Sequence, residues 1–238
     1  GRSGAPDTTP QEEPLAQLSG LDATFLYLET PEMPMHVGSM HVFEPPAESH
    51  GPFVDTVRAH IGSRMHLAQV FTRKLAVMPL AFAHPVWVDE PEPDLHYHIQ
   101  SVKLARPGSR TQLESTVARL HAQPMDRSRP LWQFFVIEGL KDGRIGFYSK
   151  IHHAAVDGQA GVAVANAILD LTAEPRQVAP AEKRSTRVKL GSAELISAAL
   201  SNQLAQVSRM LKMVPSAAGA VSHAVSAALD ARKQTRAA

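Results

Sequence analysis

Two apolar runs, residues 131–137 (LWQFFVI) and 145–151 (IGFYSKI), flank the turn signal Lys141-Asp142-Gly143. Each is short and rich in aromatic and β-branched residues, and the Asp-Gly between them favours a reversal of the chain. The pair therefore predicts two neighbouring strands. Directly after the second run comes HHAAVDG, residues 152–158, followed by Val162, Ala165, Ala167, Ile168 and Leu171 at helical spacing. The small residues of that helix permit close packing. Strands feeding helices in this way call for an α/β fold, a mixed sheet with flanking helices. With 238 residues, 44% of them hydrophobic, the chain can bury one large core or two small ones.

The other elements follow from the same patterning. Residues 1–14 (GRSGAPDTTPQEEP) lack any apolar period and read as a disordered leader. Ser19, with Asp22 three residues later, resembles a capping arrangement. Leu21, Phe25 and Leu28 then predict a short helix through Glu29, ended by Pro31 and Pro34. Residues 37–43 read as a strand, and Phe53, Val57, Ile61 and Met65 mark a helix. Extended segments are expected at 75–78, 87–89 and 95–104, between prolines, with a helix carrying Leu113, Val117 and Leu120 after them. The domain reading is one lobe over 15–172, a polar linker over 173–193, and an amphipathic helical tail over 194–238. In that tail Ile196, Leu200, Leu204, Val207, Leu211 and Val214 form one stripe.

Charge is divided unevenly. Residues 1–182 hold 15 Lys plus Arg and 21 Asp plus Glu, against 9 and 2 for residues 183–238. A basic tail suits an acidic partner or an anionic membrane surface, and is also ordinary in solvated linkers. No run reaches the ~18 apolar residues a spanning helix needs, and no basic-then-apolar leader opens the sequence. The expectation is a cytoplasmic protein, soluble or peripheral on the inner membrane or lipid bodies. With no cysteine, disulfides, thiolate nucleophiles and Cys-based metal sites are excluded. There is no Gly-rich phosphate loop, no Gly-x-Ser-x-Gly elbow and no aromatic-basic interleaving for nucleic acid.

Chemistry must come from His, carboxylates or hydroxyls, and HHAAVDG is where they concentrate. Adjacent residues of a strand point to opposite faces, so His152 and His153 are poorly placed to ligate one metal. A single imidazole at a strand end is a plausible general base, because its ordinary pKa of about 6.5 lets it accept a proton near neutrality. Gly158 allows close backbone approach, and Asp157 can anchor the turn into the helix. For an isolated string of this kind, an Asp helix cap beside two packed histidines is the commoner explanation.

The pattern His152-His153-x-x-x-Asp157-Gly158 resembles the signature of acyltransferases of the chloramphenicol-acetyltransferase type and of peptide-synthetase condensation domains. The leading segment LSGLDATFLYLETPEMPMHVGSM (18–40), the PLW at 130–132 and their spacing to HHAAVDG resemble, more specifically, the bacterial wax ester synthase/diacylglycerol acyltransferase family. That resemblance runs from about Leu18 to Leu171 and implies a chloramphenicol-acetyltransferase-like lobe. It implies transfer of a long-chain acyl group from acyl-CoA to a fatty alcohol or diacylglycerol, without a covalent acyl-enzyme. Acyl-CoA is then a substrate, and neither cofactor nor metal is required. Carried onto this chain, His153 is the base, His152 and Asp157 are supports, and Gly158 keeps the channel beside the histidine open. Family members are about twice as long, so a C-terminal lobe, missing here or supplied as a separate chain, is an expected partner. The sequence names no substrate-binding residue. An amide-forming condensation domain and a non-catalytic lipid-surface protein are the alternatives.

Several other residues carry readings to test. His96 and His98 share one face of an expected strand, yet no third metal ligand is near. Met35 and His36 could line an entrance or simply pack. Pro130, Leu131 and Trp132 read as the opening of a buried strand. Arg127 and Arg129 could meet phosphates, but two loop arginines more often meet solvent.

Overall fold

The computed structural model describes residues 18–45, 51–76, 84–156, 158–172 and 174–181, the side chains of 158 and 159 excepted. The chain divides into two units, Gly1–Val77 with His84–Val188, and Met78–Ala83 with Lys189–Ala238. Every described residue belongs to the first. The leader and the amphipathic stripe of 196–214 lie outside the described residues, and residues 174–181 contain neither helix nor strand.

Helix α1, Gly20–Leu28, opens on Ser19, whose side chain accepts the Asp22 N–H, as the capping pattern anticipates. Strand β1, His36–Phe43, leads to α2, Phe53–Gly62, and two 3-10 turns, Met65–Leu67 and Gln69–Phe71. Strands β2, Arg73–Ala76, and β3, Val86–Asp89, form a separate antiparallel pair. The short helix α3, Leu95–His98, runs directly into β4, Ile99–Lys103. Helix α4, Arg110–Ala122, precedes the hairpin strands β5, Trp132–Glu138, and β6, Ile145–His152. A 3-10 turn, His153–Ala155, and α5, Gly158–Ile168, follow.

The main sheet is mixed, in the order β1-β6-β5-β4. β6 is antiparallel to both of its neighbours, and β4 is parallel to β5. Both apolar runs of the sequence are central strands, and every residue of β6 is buried. Gly143 holds φ +77° at the tip of the hairpin, a conformation other residues rarely adopt. Alternation along β5 then divides the core. Trp132, Phe134 and Val136 pack with Phe147 and Ile151 against Ile61 of α2 and Val164 and Ala167 of α5. Phe135, Ile137 and Tyr148 meet Leu113 and Leu120 of α4 on the opposite face. Each such side chain contributes about 1.5–3 kcal/mol on burial. A third cluster closes the end of the sheet, where Leu18, Ala23 and Leu26 cover Leu131 and Ala154.

The expected extended segment 95–104 is corrected in its first half. Asp94 accepts hydrogen bonds from His96 and Tyr97 N–H and caps α3, so only 99–103 is strand. His96 and His98 therefore share no strand face. His98 is buried, stacks on Trp132 at 4.3 Å between ring centroids, and donates its Nδ1–H to the Trp132 carbonyl at 2.7 Å.

Candidate active site

The motif begins on the last residue of β6 and turns immediately. His152 donates its backbone N–H to Leu131 O at 3.0 Å, and His153 donates its own to Met35 O at 2.8 Å. The segments MHVG, PLW and HHAAVDG, far apart in sequence, are thereby stitched together at one end of the sheet. Met35 and Leu131 act there through main-chain carbonyls, while Trp132 begins the buried strand and donates its indole N–H to Phe71 O.

The two histidines have opposite surroundings. His152 is fully buried, and its Nδ1 accepts the Ala154 N–H at 3.0 Å. An acceptor Nδ1 leaves the proton on Nε2, which lies 3.3 Å from Glu29 Oε1, close but not aligned as a hydrogen bond. Burial pushes His152 down to about 4, with the Glu29 charge opposing, so the ring is neutral near pH 7.

Glu29, the residue that caps α1, is the hub of this nest, its side chain only 7% exposed. Its Oε1 accepts the Met35 N–H at 3.2 Å and lies 3.2 Å from His36 Nε2, while Oε2 accepts from Arg127 at 2.8 Å. Burial raises the Glu29 pKa, but the Arg127 bond, the Met35 N–H and the His152 and Arg127 charges outweigh it and hold the carboxyl below its ordinary value. His36 donates Nδ1–H to His121 O at 2.9 Å, and burial pulls its pKa down. Arg127 also donates to Leu26 O, so it ties α1 to the nest while its side chain stays 41% exposed. Arg129 lies 4.2 Å over the Tyr97 ring and 3.3 Å from Asp126.

Lys150, two residues before His152 and on the same face, is completely buried. Its Nζ donates to Leu120 O and Gln123 O at 2.8 and 2.9 Å, satisfying carbonyls at the end of α4, and burial pushes it down to about 8. Beside it His121 Nδ1 and Tyr148 Oη pair at 2.6 Å.

His153 is half-buried instead. Its ring stacks on Phe25 of α1, 3.9 Å between centroids and 18° from parallel, and its buried Nδ1 has no hydrogen-bond partner. Phe25 fixes the plane of the imidazole without claiming either nitrogen. Gly158 is the first residue of α5, and Asp157 lies outside the described residues.

A cavity of about 560 Å³ adjoins the turn that carries His153. Ala154 and Ala155 meet Ala160 and Ala163 of α5 there, and residues 67–70, Asp22, Arg73 and Trp87 make up the rest of the wall. A larger groove, about 1110 Å³, lies between β1 and α4 and reaches His121 and Tyr148 but not the motif. Of these two cavities, only the smaller touches the turn that bears His153, through Ala154 and Ala155. No group of three or more His, Asp or Glu among the described residues is placed to hold a metal ion.

The sequence reading missed Glu29, Lys150 and the pairing of Arg127. A lysine inside an apolar strand run was the available signal for Lys150, since a charge buried there requires partners. Nothing local marks Glu29.

The model of the wax ester synthase/diacylglycerol acyltransferase catalytic domain matches residues 18–238. The chain belongs to this family. The probable diacylglycerol O-acyltransferase tgs3 of Mycobacterium tuberculosis (strain H37Rv) is 36% identical over 163 residues, which are 68% of this chain and 59% of the relative. The probable diacylglycerol O-acyltransferase tgs2 of strain CDC 1551 is 34% identical over 157 residues, 66% of this chain and 35% of the relative. The chain thus spans between about a third and three fifths of the curated relatives it matches. Among solved structures, the wax ester synthase/diacylglycerol acyltransferase of Marinobacter aquaeolei VT8 superposes with a TM-score of 0.58 at 31% identity, covering 70% of this chain and 40% of that one. A variant of the starter condensation domain of rhizomide synthetase, TM-score 0.50 at 15% identity, shares the fold, with 65% of this chain and 34% of that one covered. No helix among the described residues of this family member is long and apolar enough to cross a membrane.

Proposed function

We propose that the chain carries the basic half of an acyl-CoA-dependent O-acyltransferase that makes wax esters or triacylglycerol, with His153 as the general base. The observation that carries this reading is the contrast within the motif. His152 is fully buried in the nest, whereas His153 is half-buried, its ring stacked on Phe25, in a turn whose next two residues line a cavity. Names of relatives at 34–36% identity support the reaction class. In the step proposed, His153 takes the hydroxyl proton of a fatty alcohol or diacylglycerol as the oxygen attacks the thioester carbonyl. The tetrahedral intermediate expels the CoA sulfur, and the imidazolium returns the proton to it. Acyl-CoA brings the activated acyl group, so the step needs no further cofactor.

A second lobe, on the same polypeptide or a separate one, completes the substrate channel in this reading. The support is that the matched relatives are longer than this chain. Both acceptor classes partition into lipid, which favours work at a membrane or lipid-body surface. The test is product analysis with the complete protein, labelled palmitoyl-CoA and either hexadecanol or diacylglycerol. One ester formed per CoA released is expected. Release of free fatty acid without ester, or turnover only with a carrier-bound acyl donor, contradicts the proposal.

A further inference from the structure

Glu29 stands where it can set the protonation pattern of the motif without touching a substrate. Its Oε1 faces the Nε2 atoms of both His36 and His152, at 3.2 and 3.3 Å. Neither contact is aligned as a hydrogen bond, and His36 already donates its Nδ1–H to His121 O; a carboxylate oxygen can only accept, so its negative charge favours the His152 tautomer with the proton on Nε2. That tautomer leaves Nδ1 free to accept the Ala154 N–H at 3.0 Å, and this bond lies within the 3-10 turn, His153–Ala155, that presents the His153 ring. Arg127 on Oε2 and the Met35 N–H on Oε1 keep the carboxylate in place, and Met35 O in turn receives the His153 N–H.

We infer that Glu29 is a positioning residue for His153, acting by fixing the tautomer of His152 and, through Ala154, the shape of the turn. The inference rests on His153 being the base. Hydrogen bonds behind an imidazole commonly decide which of its nitrogens carries the proton, and through that its orientation. Here the effect passes one residue along the chain, from a buried histidine to its half-buried neighbour.

Glu29→Gln keeps the size and inverts the logic. Arg127 and the Met35 N–H then compete for one amide oxygen; with the shorter, charged Arg127 contact keeping it, the NH2 group takes the place of Oε1 and turns a donor toward both the Met35 N–H and the His152 Nε2–H. His152 then shifts its proton to Nδ1, where it opposes the Ala154 N–H. The test reads tautomers directly, by NMR of the chain with 15N-labelled histidine, the His152 signals being assigned by their loss in His152→Asn. In the parent chain, a protonated Nε2 and an unprotonated Nδ1 are expected from pH 6 to 8. A His152 carrying its proton on Nδ1 overturns the inference, whatever the fate of any variant. In Glu29→Gln the Nδ1–H form should appear, and in the complete protein kcat for ester formation should fall about 10-fold or more with KM within two-fold. An unchanged tautomer, or kcat within two-fold of the parent, overturns the positioning role. Because the tautomer measurement needs no turnover, an absence of acyl transfer would count against the proposed reaction and leave this inference standing or falling on the NMR signals alone.

Discussion

His152 and His153 are neighbours in sequence and opposites in environment. Behind the motif, His152 sits in a nest in which Glu29 pairs with Arg127 and faces His36 and His152, while His36 and Lys150 donate to carbonyls at the end of α4. In front of it, His153 leans on one aromatic ring beside a cavity lined by alanines. The difference teaches how a repeated residue is divided between architecture and chemistry. The buried copy accepts one backbone hydrogen bond and turns its other nitrogen to a carboxylate, while the half-buried copy is stacked on an aromatic ring with its Nδ1 unpartnered.

The comparison breaks most visibly in stability. His152→Ala leaves the Ala154 N–H without its acceptor and opens space beside the buried Glu29 carboxylate, so a loss of about 2–4 kcal/mol in urea unfolding is expected. His153→Ala should cost about 1 kcal/mol or less, since the ring is half-buried and its buried Nδ1 makes no hydrogen bond. Equal losses would mean that both histidines are structural. Lys150→Met tests the rear wall of the nest next. Stranding Leu120 O and Gln123 O should cost about 1–3 kcal/mol and loosen the last turn of α4, seen as faster amide exchange there.

Acid should sharpen the contrast further. His152 is held neutral, pushed down to about 4, and His36 is lowered as well. Below the ordinary histidine value near 6.5 the unfolded chain binds protons that the folded chain refuses. Stability is therefore full above about pH 6.5 and falls as pH drops toward 4, by about 1.4 kcal/mol per pH unit for each such proton. Unfolding curves at stepped pH check this, and His152→Ala should flatten the slope. A similarly small effect is expected at the nest's outer edge. A Cβ at Gly38 would meet Tyr148 Oη at 2.5 Å, so Gly38→Ala should cost about 1 kcal/mol, part of it recovered by Tyr148→Phe.

Much of the frame was legible because its signals are local. The runs that become β5 and β6 alternate into two apolar faces, α4 carries Leu113 and Leu120 at helical spacing, and Ser19 caps α1 as its spacing foretold. The segment around His96 misled because its polar alternation imitates a strand, and only the Asp94 cap turns it into helix. The nest was illegible for a different reason. Glu29, Arg127 and His152 come from three distant segments, and their meeting depends on β1 pairing with β6 in the register that sets His36 opposite His152. Phe25 was placed on an apolar helix face, but its contact with His153 follows only from how α1 lies across the end of the sheet.

The most direct test of the account is a single-turnover comparison of the complete protein with its His153→Ala and His152→Ala forms, using acyl-CoA and a long-chain alcohol at saturating concentrations. The account predicts that His153→Ala folds normally and forms ester at least about 100-fold more slowly. A His153→Ala protein that makes ester within a few-fold of the parent rate would contradict it.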